Sequence, residues 1–513
     1  MRTSFLTGLF LFMVASAIGQ SKTINIIDLG AKSSNTTENT AIIQKAIDEV
    51  SSAGGGSVVI PSGRFVTGVL TMKSNVNLHL EKYAVLAGST RRTDYGPSSQ
   101  ASALLVADKA TNISITGKGM IDGQGEALLK DIYVMLHAGT LQDKEWQTEN
   151  PWHQVRPEEE NRPKIIDFNN CDKVTIIGIT LRNALCWVQR YNKCSNILMD
   201  SIEVESNVFW NNDGVDFVDC KDVKLTNSFF NCDDDGICLK SSDRNSRCEN
   251  IYVANCAVRS SANAVKLGTA SWGGFKNITI KDIKVYDTFR SAIAIEAVDG
   301  GVLENIDVRN IKATNTGNAI LVRLGHRNKD SVVSQLRNVY IGNMEVEVPK
   351  TKPDIGYNME GPAKRYPHNV FPSSVTGIPG HPVQNVVIEN VSIVYQGGAD
   401  RKVACFGLDS LAKVPENLDG YPEFSMFGEL PAWGFYVRHT EGIQFKNVTV
   451  SSKDEDFRPA YVLDDVTGLQ LSNVSVPTAT EMPVIVFRNT KKPLLEQVKL
   501  PVDPKKGILV IKK

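Results

Sequence analysis

Three aspartates in this 513-residue chain are spaced to do acid–base chemistry together. Asp213 lies in Asn211-Asn212-Asp213-Gly214-Val215-Asp216, and Asp234 and Asp235 follow 21 and 22 residues later in Asp234-Asp235-Gly236-Ile237-Cys238-Leu239-Lys240-Ser241. Carboxylates brought together cannot all stay ionised, so one keeps its proton near neutrality while another stays charged. That division supplies a general acid and a general base. Glycoside hydrolysis needs such a pair: the acid protonates the leaving oxygen and the base activates water, about 6.5–9.5 Å apart in inverting sites. A hard cation such as calcium would also suit the cluster, and so would plain Asp-rich turns. Spacing alone leaves all three open.

What must position these residues is a stack of short strands. Val215-Asp216-Phe217, Ile237-Cys238-Leu239, Val265-Lys266-Leu267, Ile293-Ala294-Ile295 and Ile320-Leu321-Val322 share one inward register. Two residues before each stand Asp213, Asp235, Asn263, Ser291 and Asn318. A second motif recurs with them: Lys173-Val174-Thr175-Ile176, Asn196-Ile197-Leu198-Met199, Asp222-Val223-Lys224-Leu225, Asn250-Ile251-Tyr252-Val253, Asn277-Ile278-Thr279-Ile280, Asn305-Ile306-Asp307-Val308, Asn338-Val339-Tyr340-Ile341 and Asn385-Val386-Val387-Ile388. The first seven starts fall 23, 26, 28, 27, 28 and 33 residues apart. Period-two apolarity within each motif excludes a helical repeat, and the Leu framework of leucine-rich repeats is absent. One coil of a parallel β-helix fits, with the recurrent Asn in a turn where its amide can bond the coils above and below. The fold class expected is therefore all-β, a single-stranded parallel β-helix with a short N-terminal cap helix over 39–50. Two stretches break the rhythm, 127–163, with Trp146, Trp152 and His153, and 349–383, rich in Pro and Gly.

With 56 Lys+Arg against 57 Asp+Glu, the net charge of −1 excludes partners held by bulk charge, so neither nucleic acid nor an anionic membrane is expected. Met1-Arg2, the apolar run Phe5 to Ala17 and small residues before Gly19/Gln20 read as a signal peptide over 1–19. The remainder, 20–513, is expected as one solenoid domain, periplasmic or secreted and monomeric. Cys171, Cys194, Cys220 and Cys248 occupy the site that later coils fill with Phe275, Leu303, Leu336 and Val383. A site that accepts all four residue types is expected to be a buried stack rather than a set of disulfides.

On these residues the chain resembles glycoside hydrolase family 28, the polygalacturonase family. Asn211-Asn212-Asp213 matches its Asn-Thr-Asp motif with Asn for Thr, and Asp234-Asp235-Gly236 matches its double-Asp motif. Asp28-Leu29-Gly30-Ala31, Gly54-Gly55-Gly56, Gly117-Lys118-Gly119-Met120-Ile121-Asp122-Gly123, Arg162-Pro163 and Trp187 carry the likeness over nearly the whole chain after the leader. The resemblance implies a right-handed, pectin-lyase-like solenoid and a uronate-bearing polysaccharide or oligosaccharide as substrate, with no metal or other cofactor. It also implies inversion, with Asp234 as general acid and Asp213 and Asp235 holding the attacking water.

The family's Gly-His-Gly motif falls on Ala262-Asn263-Ala264, and its Arg-Ile-Lys motif on Ala294-Ile295-Glu296, so cations expected to hold the galacturonate carboxylate are gone. One expectation is relocated charge, with Lys266 one coil before Ala294 and Arg323 one coil after Glu296. The other is a structural salt bridge from Glu296 to Arg323 or Lys240. Asp216, Asn263, Lys266, Glu296, Arg323, Trp187 and Lys240 are the candidate substrate-binding residues. Two other classes remain open: a lyase or epimerase with Lys266 as base and calcium among the aspartates, and a noncatalytic carbohydrate-binding solenoid. His326, Arg327, Arg438, His439 and Asp456 to Pro459 carry no assigned chemistry.

Overall fold

The computed structural model describes residues 21–148, 155–353, 371–399, 407–478 and 483–511. The expected leader, Trp152 and His153 lie outside them. Among the described residues, 32 strands join in one system whose ladders all run parallel. The coils just before the trio and around it each contribute three short strands, and farther on the strands run together around the corners, as in Gly274–Ala297 and Val302–Leu324. Gln189–Asn192, Ser195–Asp200 and Glu203–Ser206 make one coil, and Val215–Val218, Lys221–Thr226 and Phe229–Cys232 make the next. They stack with Arg190 beside Asp216, Ile197 beside Val223 and Val204 beside Phe230. Parallel crossovers wind right-handed, and the result is a right-handed parallel β-helix.

The repeat motif acts twice over. Asn196, Asn250, Asn277, Asn305, Asn338 and Asn385 all sit at positive φ between 54° and 61°, the left-handed turn conformation that Asn tolerates. Their amides also climb the stack, each Nδ2 donating to the coil before: Asn250 to Asp222 at 2.9 Å, Asn277 to Asn250 at 3.1 Å, Asn305 to Asn277 at 3.1 Å, Asn338 to Asn305 and Asn385 to Asn338 at 3.2 Å. A second such ladder, from Asn310 through Asn343, Asn390 and Asn447 to Asn473, runs down another corner. Beneath the first ladder, Cys171, Cys194, Cys220 and Cys248 are buried and unbridged. Their thiols donate to strand carbonyls, as Cys220 does to Tyr191 at 3.1 Å.

The helix Thr40–Ser52 buries Ile43, Ala46, Ile47 and Val50 against the first coil and closes that end. It matches the expected cap. A second helix, Gly125–His137, occupies the start of the 127–163 interruption. No helix among the described residues is long and apolar enough to cross a membrane.

Candidate active site

The trio is placed by turns that stack on one another. Gly214 N donates to the Asp235 carbonyl at 2.9 Å, and Gly236 N to the Asn263 carbonyl at 2.9 Å. Both glycines are required by close approach. A Cβ on Gly214 would stand 2.5 Å from the Gly236 carbonyl oxygen, and one on Gly236 would meet Val258 Cγ1 at 2.4 Å. Asn212, fully buried, locks the first turn by donating to the Cys186 carbonyl at 3.0 Å and accepting from Ser206 Oγ at 3.0 Å. The strands behind keep the expected register: Val215 beside Ile237, Ile237 beside Val265, Val265 beside Ile293 and Ile293 beside Ile320.

One oxygen from each of Asp213, Asp234 and Asp235 lies within 4.8 Å of the other two. Each carboxyl has a different setting. Asp235 Oδ1 accepts from Asn263 N at 3.0 Å and Nδ2 at 2.8 Å, and its Oδ2 meets Lys266 Nζ at 2.9 Å. Burial alone would raise its pKa, but Lys266, Lys240 and Arg290 outweigh burial and hold it at about 2. Asp213 Oδ2 accepts from Lys240 Nζ at 2.9 Å, and Asp216 takes a second bond from the same ammonium. Asp234 is the one without a salt bridge among the described residues. Its Oδ1 accepts from Asp235 N at 2.8 Å and its Oδ2 has only a long contact of 3.5 Å from Asn211 Nδ2.

Burial, then the charges of Asp213 and Asp235, push Asp234 up to about 7. Burial and Asp216 push Asp213 up as well, to about 8. Sites coupled this tightly share their protons, and hydrogen bonding decides where the proton rests. Lys240 donates directly to Asp213 and favours its ionised form. Geometry places the proton on Asp234, which makes no salt bridge among the described residues, and the charge on Asp235, bonded to Lys266 and Asn263, while Lys240 works against the rise that burial and Asp216 impose on Asp213.

Two lysines among the aspartates weigh against the calcium alternative, because a divalent ion bridging Asp213 and Asp235 would sit beside both ammonium groups. Lysine as a base is disfavoured too. Burial alone would lower the Lys266 pKa, but Asp235, Tyr421 and Glu296 raise it well above the ordinary lysine range, whereas a lysine base needs a lowered one.

The remaining candidates spread over this face. Trp187, half-buried, holds its ring 4.0 Å from Lys240 Nζ and 5.4 Å from Lys164 Nζ. Asn263, where the resemblance expects a histidine, stands directly on Asp235 and accepts from Ser291 N at 3.1 Å. Glu296 is buried without the expected salt bridge. Its Oε2 accepts from Thr269 Oγ1 at 3.0 Å, while Lys240 is taken by Asp213 and Asp216 and Arg323 by backbone carbonyls. Burial lifts the Glu296 carboxyl to about 7.

Arg323 has a role the sequence did not suggest. Only 1% exposed, it donates through Nη2 to the carbonyls of Glu416 at 2.8 Å and Asn417 at 2.9 Å, and through Nη1 to Gly377 at 3.1 Å. It thereby anchors a strap, 407–434, across the coils that follow the trio. His326 N donates to the Leu418 carbonyl at 2.7 Å, Tyr421 Oη accepts from Lys266 Nζ at 3.1 Å, and Glu423 lies 3.6 Å from Arg290 Nε. Arg290, Tyr421 and Glu423 thus join the site unforeseen. The one available signal was the long gap in the Asn-Val-x-Ile rhythm after Asn385. On the other flank, Arg156 Nη1 donates to Asn211 Oδ1 at 2.6 Å and Arg162 Nη2 to the same oxygen at 2.8 Å. The 127–163 interruption therefore does border the trio.

A parallel β-helix that gathers three carboxylates within 4.8 Å, Asp213 and Asp235 buried against lysines and Asp234 half-buried without a salt bridge among the described residues, defines a glycosidase-type site. Residues 51–411 match the sequence profile of Glycosyl hydrolases family 28, and the chain belongs to that family. An exo-poly-alpha-D-galacturonosidase of Dickeya chrysanthemi is 26% identical over 365 residues, 61% of this chain and 58% of that protein, so just under three-fifths of that relative's length is spanned. An endo-polygalacturonase of Pectobacterium carotovorum subsp. carotovorum is 22% identical over 57% of this chain and 73% of its own. The solved structure of a hyperthermoactive exopolygalacturonase from Thermotoga maritima shares the fold at a TM-score of 0.57 and 20% identity, covering 73% of this chain and 88% of that one.

Proposed function

We propose that the protein is an exported glycoside hydrolase that cleaves the glycosidic bonds of pectin or a related uronate-bearing polysaccharide from the chain end. The observation that carries this reading is the opposite setting of two neighbouring carboxyls: Asp235 is bonded to Lys266 at 2.9 Å and to Asn263 at 2.8 Å and held low, while Asp234 makes no salt bridge among the described residues and is raised. Asp234 gives its proton to the leaving oxygen. Water held between Asp213 and Asp235 passes its proton to the Asp235 carboxylate and attacks the anomeric carbon from the opposite side, with inversion. The curated relatives, named as exo- and endo-acting on galacturonan, support the substrate class.

Retention is the second reading. Oxygens within 4.8 Å of one another resemble the spacing of about 5–5.5 Å of an acid and a nucleophile more than that of two groups flanking a water. Asp235 makes a poor nucleophile, because one oxygen is taken by Asn263 and the other by Lys266. The anomer formed first decides between the two.

The general acid must be protonated, so kcat should fall as pH rises through about 7, where Asp234 loses its proton. Asp235, at about 2, stays ionised across the same range and sets no limb above that pH. A pH–kcat profile on a galacturonate oligomer measures this, and a flat profile from pH 5 to 9 would remove Asp234 from the acid's role.

Chain-end action is supported by the strap, which reaches the trio's face through Tyr421 on Lys266 and Glu423 beside Arg290. Arg323→Ala removes its anchor and leaves carbonyls unpaired. Its digests of polygalacturonate, resolved by anion-exchange chromatography, should shift from short products toward a ladder of intermediate lengths. An unchanged pattern in a folded variant would mean the strap does not set the mode of attack.

A further inference from the structure

Beyond the strap, the C-terminal coils carry a second cavity of about 680 Å³. Nearly all of its wall comes from residues after 411, outside the segment that matches the family. It lies on the same ladder column as the active face, since Glu296 pairs with Arg323, Arg323 with Thr376, Thr376 with Arg438, Arg438 with Asp464 and Asp464 with Arg488. At about 4.8 Å per coil, Arg438 stands roughly 24 Å along the axis from the strand that follows Asp235. The strap separates the two sites, for the Glu416 backbone is held by Arg323 on one side and its carboxylate by Arg438 and His439 on the other.

The charges in this cavity are partly spent on one another. Asp464 lies between Arg488 Nη1 at 2.7 Å and Arg438 Nε at 3.4 Å. His439 faces Asp465 through Nδ1 at 2.6 Å and Glu416 through Nε2 at 3.2 Å. Burial disfavours the imidazolium, but the Glu416 and Asp465 carboxylates on its two ring nitrogens outweigh that and raise the His439 pKa. What remains unused is cationic. Arg488 engages only through Nη1, and Lys491, exposed, makes no ion pair among the described residues. Pro379 and Val510 add apolar surface beside them.

We infer that this cavity is a second carbohydrate-binding site, separate from the catalytic trio, that takes a uronate residue of a polysaccharide. Arg488 and Lys491 receive the carboxylate. Asp465 and the Asn489 amide meet flanking hydroxyls, and the apolar surface takes the C–H face of the ring. Acidic groups among the cations disfavour a compact dianion such as phosphate and suit a monoanion ringed by hydroxyls. The strap keeps a chain bound here out of the active cleft, so the site serves to hold the enzyme on bulk polymer. The choice of uronate rests on the function proposed above.

The test is calorimetric titration of tetragalacturonate into the full chain bearing Asp234→Asn, whose slowed cleavage leaves the ligand largely intact over the titration. A second class of binding sites is expected, lost or weakened by about tenfold or more on adding Lys491→Glu, which breaks no ion pair, and again on adding Arg488→Ala. Carboxyl-reduced tetramer should not occupy it. Unchanged stoichiometry and affinity in the folded Lys491→Glu protein, or equal binding of the reduced tetramer, would overturn the inference. In an otherwise unaltered chain, Lys491→Glu should slow attack on dilute polymer but leave trimer cleavage within about twofold. Failure of the unaltered chain to cleave any galacturonate oligomer would sink the proposed function, while the binding result would still judge the site.

Discussion

Asp234→Asn is expected to lower kcat on a galacturonate oligomer by about 10²–10⁴-fold, the range contributed by a positioned general acid. The change is nearly isosteric. Asp234 makes no salt bridge among the described residues, and its one short bond, accepted from Asp235 N, can be kept by the amide oxygen. Folding should survive, and KM should change little. Asparagine in its place has no proton to lose in this range. The residual rate should therefore lose its fall near pH 7. Steady-state kinetics with a melting curve on the same sample checks this, and a loss below tenfold would leave Asp234 without the acid's role.

Lys266→Met is the second large effect, and it separates two roles. If the ammonium only grips a substrate carboxylate, KM should rise for uronate substrates and not for neutral ones, with kcat kept. The geometry favours a different outcome. Lys266 is 2% exposed and meets Asp235 at 2.9 Å, so its loss leaves a buried carboxylate without its nearest cation. Breaking a buried pair in this way costs about 3–5 kcal/mol of stability. The pKa of Asp235 should climb from about 2, because the largest opposing charge is gone while burial remains. An Asp235 carrying a proton cannot help activate water, so kcat falls on every substrate and recovers in part as pH rises. Lys266→Arg, which keeps the charge, should restore some stability. A variant with normal kcat, normal melting and raised KM for uronates alone would return Lys266 to a pure substrate grip.

Much of this was legible in the chain because a β-helix writes its register into sequence. Period-two apolar motifs fixed which residues stack, so Asp213, Asp235 and Asn263 could be placed on neighbouring turns, and the cysteine column could be read as core because Phe, Leu and Val replace it one coil on. The proton partition was legible only in outline. Crowded carboxyls announce that one will be raised, but which one depends on Lys240 and Lys266 reaching across coils from positions that look like ordinary outward lysines. Arg323 shows the limit most clearly. Its column was read correctly, yet its guanidinium turns to the carbonyls of Glu416 and Asn417, some ninety residues away in a segment with no periodicity. Backbone acceptors leave no signature in side-chain types. For the same reason Tyr421 and Glu423 leave no mark in the repeat pattern, and the second Asn ladder runs five residues behind the first, as Asn310 does Asn305 and Asn343 does Asn338.

The most direct test of the central claim is the anomeric outcome of galacturonate trimer cleavage, followed from the first turnovers by proton NMR. Hydrolysis is expected in which the new reducing end of this alpha-linked substrate appears first as the β anomer, at a rate cut by about 10²–10⁴-fold in the Asp234→Asn protein. The α anomer appearing first would mean retention. An unsaturated product, or no new reducing end at all, would contradict hydrolysis by the Asp213, Asp234 and Asp235 trio outright.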